Sequence, residues 1–197
     1  MDGSLQSKIT LFLLFFCLLG CSHKRQQKQE PYLLSLRDKA LIKEGDIILR
    51  MGEGWLSQFI CKQLNDTIHI SHCGILVRSN TGGFDVIHVL SKEVSDTNGV
   101  QRCSLDQFTA DSQRGTIQIV RLKKDSTHIL TEKAIYYLNK KIPFDHTFNL
   151  QDSTAFFCSE LPLHILKYHI GIDLYPSPPN TPRFSIFLDK RYFIDIL

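Results

Sequence analysis

The sequence predicts an α+β fold in which an antiparallel sheet packs against helices. Three observations carry that reading. Two β-branched runs, residues 68 to 78 and 84 to 90, flank the polar turn Ser79-Asn80-Thr81-Gly82-Gly83 and read as a hairpin. Residues 126 to 141 put Leu130, Ala134, Tyr137 and Leu138 on one helical face. The extended apolar run Phe156-Phe157 delivers Cys158 to a helix start, because Pro162 lacks an N–H and clashes with the carbonyl four residues back, so the helix begins near Ser159 or Glu160.

Taken in order, the chain opens on an apolar run of eleven residues, 9 to 19, too short to span a bilayer and suited to the middle of a signal peptide. Leu18-Leu19-Gly20-Cys21 resembles a bacterial lipobox, whose cysteine becomes the lipidated first residue of the mature protein. Residues 1 to 20 are therefore expected to be a lipoprotein signal peptide, 21 to 40 the lipidated Cys21 and its tether, and 41 to 197 the folded domain. The expected location is the cell envelope, anchored to the membrane through lipid. Of the formal charge of +3, residues 24 to 30 carry +2, and the chain beyond them carries +1. That excludes the basic face or stripe of a nucleic-acid binder.

Residues 31 to 40 read as a short helix leading into the domain, and Asp46-Ile47-Ile48-Leu49-Arg50 as a strand. Trp55, Leu56, Phe59, Ile60 and Leu64 recur at helical spacing, which predicts an amphipathic helix packed on the core, with Trp55 as a packing residue. A short helix at 104 to 110 and a strand at 116 to 122 follow. Lys140 and Lys141 suit the negative end of the helix that Asp125 or Ser126 caps. After Cys158, the apolar positions Leu161, Ile165 and Tyr168 continue the helix, and Gly171 stops it. Thr181-Pro182 can start another helix, and residues 192 to 197 read as a final strand.

Chemistry concentrates on Cys158, His72 and His88. The first N–H groups of a helix lack partners and favour an anion, which lowers the pKa of a thiol placed there, and Ser159 can cap that end. The hairpin puts His72 and His88 on one face whether it centres on Asn80 or on Thr81. Cys158 then attacks a carbonyl, His72 serves as general base and then acid, and His88 holds the His72 ring through its second nitrogen. The Cys158 N–H is the first oxyanion donor. His69 and Cys73 point away from that face, so a metal site built from His69, His72, Cys73 and His88 would need both faces. No metal and no cofactor is expected. Glu160 can stabilise the helix start, yet beside the sulfur it would raise the thiol pKa. Asp46 and Asp145 are expected to fix turns. Outside the signal and Cys21 remain Cys61, Cys73, Cys103 and Cys158, an even number that admits two disulfides. A free Cys158 leaves at least one more free.

The stretches Gly45-Asp46-Ile47-Ile48-Leu49-Arg50, Ser71-His72-Cys73-Gly74-Ile75, Val86-Ile87-His88 and Phe157-Cys158-Ser159-Glu160-Leu161 resemble the successive motifs of the YiiX/YaeF-like proteins. These are circularly permuted papain-fold hydrolases of the NlpC superfamily, in which the cysteine follows the histidine. The resemblance covers roughly residues 43 to 184. It implies a permuted papain-like (NlpC-type) fold and a cysteine peptidase or amidase with Cys158 as nucleophile and His72 as base. Two departures matter. Many family members place a glutamate where this chain has His88, and a histidine there is similar instead to the Cys-His-His arrangement of NlpC-type peptidases and lecithin:retinol acyltransferases. Pro162 replaces the usual aliphatic residue.

Together these features lead to an exported thiol hydrolase that cleaves an amide in cell-wall peptides. The alternatives are a lipid or ester acyl hydrolase or acyltransferase using the same thiol, and a non-catalytic binding lipoprotein. The expected partners are a peptide or acyl substrate and the membrane, with no nucleic acid.

Overall fold

A computed structural model describes residues 30 to 176 and 183 to 197. The signal-peptide, Cys21 and Thr181-Pro182 expectations fall outside the described residues. Among them, six strands form one antiparallel sheet in the order β4-β3-β2-β1-β5-β6. The strands are β1 (Ile47–Arg50), β2 (His72–Arg78), β3 (Phe84–Leu90), β4 (Gly99–Ser104), β5 (Gln118–Leu122) and β6 (Phe193–Asp195). The helices are α1 (Leu36–Leu41), α2 (Trp55–Leu64), α3 (Leu105–Ala110), α4 (Thr127–Asn139) and α5 (Glu160–Ile165), with a π-helical turn Leu166–Ile170 and a 3-10 turn Phe184–Leu188.

Period-two alternation divides the sheet into two buried faces. Ile47, Leu49, Cys73, Ile75, Val77, Ile87 and Val89 meet Leu130, Ala134 and Tyr137 of α4 and Leu161 and Ile165 of α5. Ile48, Leu76, Val86 and Ile119 point the other way, onto Leu34, Ile42 and the α3 residues Leu105 and Phe108. The hairpin turn fixes which residues cross: Gly74 pairs with His88, so the hairpin centres on Thr81 and His72 stands diagonal to His88 on one face. Gly74 leaves room there, since a Cβ on it would lie 2.3 Å from Val86 Cγ1.

Several expectations change. Pro31–Leu197 forms one compact unit, so residues 31 to 40, assigned to the tether, fold with the domain and bury Leu34. Their helix is only Leu36–Leu41, started by Ser35, whose Oγ accepts from the Asp38 N–H. β4 was not predicted; it is an edge strand whose alternation is interrupted by polar residues. Helix α2 buries none of its residues completely, and Trp55 is 76% exposed and Phe59 51% exposed, so Trp55 is not a packing residue. Only Ile60 and Leu64 of that helix lean on the core. The four described cysteines are all free thiols, so neither disulfide forms. Asp46 and Asp145 do fix turns. Asp46 accepts from the Lys43 N–H, and the Asp145 oxygens accept from the N–H groups of Thr147 and Asn149.

Candidate active site

The segment before α5 is tied down by its backbone. The Phe156 N–H donates to the Pro143 carbonyl at 3.0 Å, and the Asp145 N–H to the Phe156 carbonyl at 2.9 Å. Glu160 opens the helix as its first residue, which puts Pro162 in the first turn, where a missing N–H leaves no intrahelical bond unmade. The helix continues into the π-helical turn and ends at Gly171, held at φ 81°. Ser159 does not cap it: its backbone is already helical and its hydroxyl makes no capping bond. From Phe156 to Leu166 every residue is buried except Cys158, which is partly exposed. Tyr168, expected on the buried face, is 58% exposed.

His72 and His88 stand together as the strand alternation requires. His72 Nε2 and His88 Nδ1 are 2.9 Å apart. Both rings pack on Phe108, with centroids 5.7 Å and 5.5 Å from it, and both residues are buried. Arg50 closes the group. It pairs with His72 in register, its Nη1 donates to the Phe108 carbonyl at 2.7 Å, and its guanidinium lies 4.3 Å from the Phe108 ring centre. Burial first, and the Arg50 charge next, push the His72 imidazole well below its ordinary range and His88 down to about 3. Both rings are therefore neutral at pH 7. With His72 engaged through Nε2, its Nδ1 is the nitrogen left for a thiol. His88 Nε2 is buried and has no hydrogen-bond partner among the described residues.

Cys158 reaches β2, the strand that carries His72, through the neighbouring residue. Cys73 Sγ donates to the Cys158 carbonyl at 3.3 Å, and Cys73 follows His72 directly. Cys73 points to the α4 and α5 face, where Cys158 also packs, and His72 points to the Phe108 face. Among the described residues no hydrogen bond joins Cys158 Sγ to His72. The expectation of a lowered thiol pKa is also overturned. The Ser159 and Cys158 N–H groups do pull it down, but burial outweighs them and pushes the Cys158 thiol up to about 12. The thiol and both imidazoles are thus neutral at rest.

Sequence reasoning missed Arg50, Phe108 and the Ser159 N–H. Arg50 was legible as the last residue of a strand whose alternation pairs it with Ile48, while Phe108 sat in a predicted helix with nothing to mark its face. A pocket of about 610 Å³ adjoins the pair, lined by His88, Leu90, Glu93, Gln101, Cys103 and Asp111 among others. His69 is exposed, and among the described residues no three His, Cys, Asp or Glu side chains stand close enough to hold a metal ion.

No curated protein matches the chain. Among solved structures it is similar to the metalloprotein yiiX of Escherichia coli O157:H7, with a TM-score of 0.54 and 23% identity over 68% of this chain and 69% of that one. At that identity the likeness shows the fold. The model of the permuted papain-like amidase enzymes, YaeF/YiiX, C92 family, matches residues 41–177. The chain therefore belongs to that family, a permuted papain-like cysteine hydrolase of the amidase class.

Proposed function

We propose that this amidase is an exported, lipid-anchored enzyme that cleaves an amide in cell-wall peptides by a Cys-His-His mechanism. The observation that carries the mechanism is the 2.9 Å approach of His72 Nε2 to His88 Nδ1, next to the strand residue that holds the Cys158 carbonyl. The Cys158 thiol passes its proton to His72 Nδ1 as the sulfur bonds to the amide carbon. The carbonyl oxygen takes up the negative charge, and the N–H groups of Cys158 and Ser159, which face the sulfur at rest, are the donors proposed to turn to it. The His72 imidazolium then gives its proton to the leaving nitrogen, and the C–N bond breaks. A water, deprotonated by His72, hydrolyses the thioester and restores the thiol. His88 orients His72 throughout. Because both histidines are neutral at rest, the proton moves when substrate arrives, with no standing thiolate–imidazolium pair.

Incubating the soluble domain with muropeptides tests this. Release of an amine by the wild-type protein and none by Cys158→Ala or His72→Ala is expected; equal release by wild type and Cys158→Ala overturns it. A lipid or ester acyl substrate is a second reading, favoured by the exposed Trp55 and Phe59 on α2. That helix joins the site through Cys61, whose Sγ donates to the Ile70 carbonyl two residues before His72. An acyl adduct on Cys158 from a lipid donor, without muropeptide cleavage, selects it.

A further inference from the structure

Glu160 is a charged residue type buried completely in a place the mechanism leaves idle. Its side chain and backbone close a reciprocal pair of bonds with Phe157. The Phe157 N–H donates to Glu160 Oε2 at 3.3 Å, and the Glu160 N–H donates to the Phe157 carbonyl at 3.0 Å. The two bonds close a turn that encloses Cys158 and Ser159. The other carboxyl oxygen, Oε1, is buried with no partner among the described residues. Burying a carboxylate that way is far costlier than burying the neutral acid, in which one oxygen accepts and the other carries the proton.

We propose that Glu160 is a positioning residue that clamps the chain around Cys158 as an uncharged carboxylic acid. The clamp holds the Cys158 and Ser159 N–H groups against the sulfur without setting an anion beside it. The groups that face Glu160 favour the neutral form. Burial comes first, and Asp145 and Asp152 add to it, holding the carboxyl up at about 8 against the single opposing bond from the Phe157 N–H. Tyr175, whose hydroxyl is also buried without a partner among the described residues, is raised by burial and in part by Glu160. Above about pH 8 the clamp ionises, and a negative charge two residues from the sulfur opposes thiolate formation.

The proposal rests on Cys158 as the nucleophile, but its test needs no substrate. Iodoacetamide alkylation of Cys158 in the full chain is followed by mass spectrometry of the peptide that contains it, from pH 6 to 9.5. In the wild type, the rise of rate with pH slackens near pH 8. Glu160→Gln keeps the oxygen acceptor and cannot ionise, so its rate climbs without the break and is about tenfold above wild type at pH 9.5, the effect of one pKa unit. Glu160→Leu removes the acceptor, and at pH 7.5 its alkylation is about threefold slower than that of Glu160→Gln. Superimposable wild-type and Gln profiles overturn the proposal, as does a Leu variant equal to Gln. If circular dichroism finds the Leu variant unfolded, the comparison of wild type with Gln decides alone. A failed muropeptide assay with the expected alkylation profiles rejects the substrate and keeps the clamp.

Discussion

Gly74→Ala probes how the sheet holds the two histidines. The added Cβ would stand 2.3 Å from Val86 Cγ1, 3.0 Å from the Ile87 carbonyl oxygen and 3.2 Å from His88 Cβ. Val86 can turn its methyl away, but the carbonyl belongs to the strand, so β3 must give by a few tenths of an ångström. Overpacking of that kind costs about 1–3 kcal/mol. In a domain of this size, that is a fall in Tm of roughly 2 to 12 °C. The same shift moves His88 relative to His72, and losing much of a buried hydrogen bond worth about 1 kcal/mol lowers kcat/KM by about fivefold. Thermal melts followed by circular dichroism read the first effect, and amide release by protein that is still folded reads the second. Val86→Ala in the same chain relieves the closest contact, so the double variant should be at least about 1 kcal/mol more stable than the two single changes add up to. A Gly74→Ala protein that melts with the wild type, or a double variant that is simply additive, refutes the reasoning.

Three further outcomes follow from the same geometry. Because burial raises the Cys158 thiol to about 12 and both histidines are neutral, its alkylation should climb from pH 6 upward; a plateau below pH 7 would reveal a resting ion pair instead. His88 is depressed to about 3, so between there and the unfolded value near 6.5 the unfolded chain binds more protons, and stability is lost as pH falls through that window. Glu160 acts oppositely, its contribution fading as pH rises from about 4.5 toward 8, so Tm curves of His88→Gln should be flatter only on the acid side. Asp46, fully buried, receives Arg121 Nε at 2.7 Å and Nη2 at 2.8 Å, and Asp46→Asn should cost about 3 kcal/mol by urea denaturation, whereas a loss below about 1 kcal/mol would make the pair dispensable.

Where one residue's neighbours lie close in sequence, the structure was legible. The shared face of His72 and His88 follows from strand alternation and a short turn, and Pro162 marks the start of α5 because its constraints are local. β4 was hidden because an edge strand with Gln101, Arg102 and Ser104 lacks a clean alternation. Periodicity in α2 defined an apolar face but could not say what would cover it, and Trp55 and Phe59 remain in solvent. The thiol misled for a related reason. Position at a helix mouth is visible in a sequence, but the burial that outweighs it arises only when the segment packs on the sheet in three dimensions.

The histidine hairpin precedes the cysteine segment along the chain, and this has a consequence for how the protein is made. His72 and His88 sit on adjacent strands joined by a five-residue turn, a unit that can assemble from a short stretch of nascent chain. Cys158 emerges some seventy residues after His88, once β4, β5 and α4 have been synthesised. On the proposed mechanism, synthesis from the N-terminus prepares the proton acceptor before its sulfur exists, and the hydrolase stays inert until its last third has folded onto the sheet.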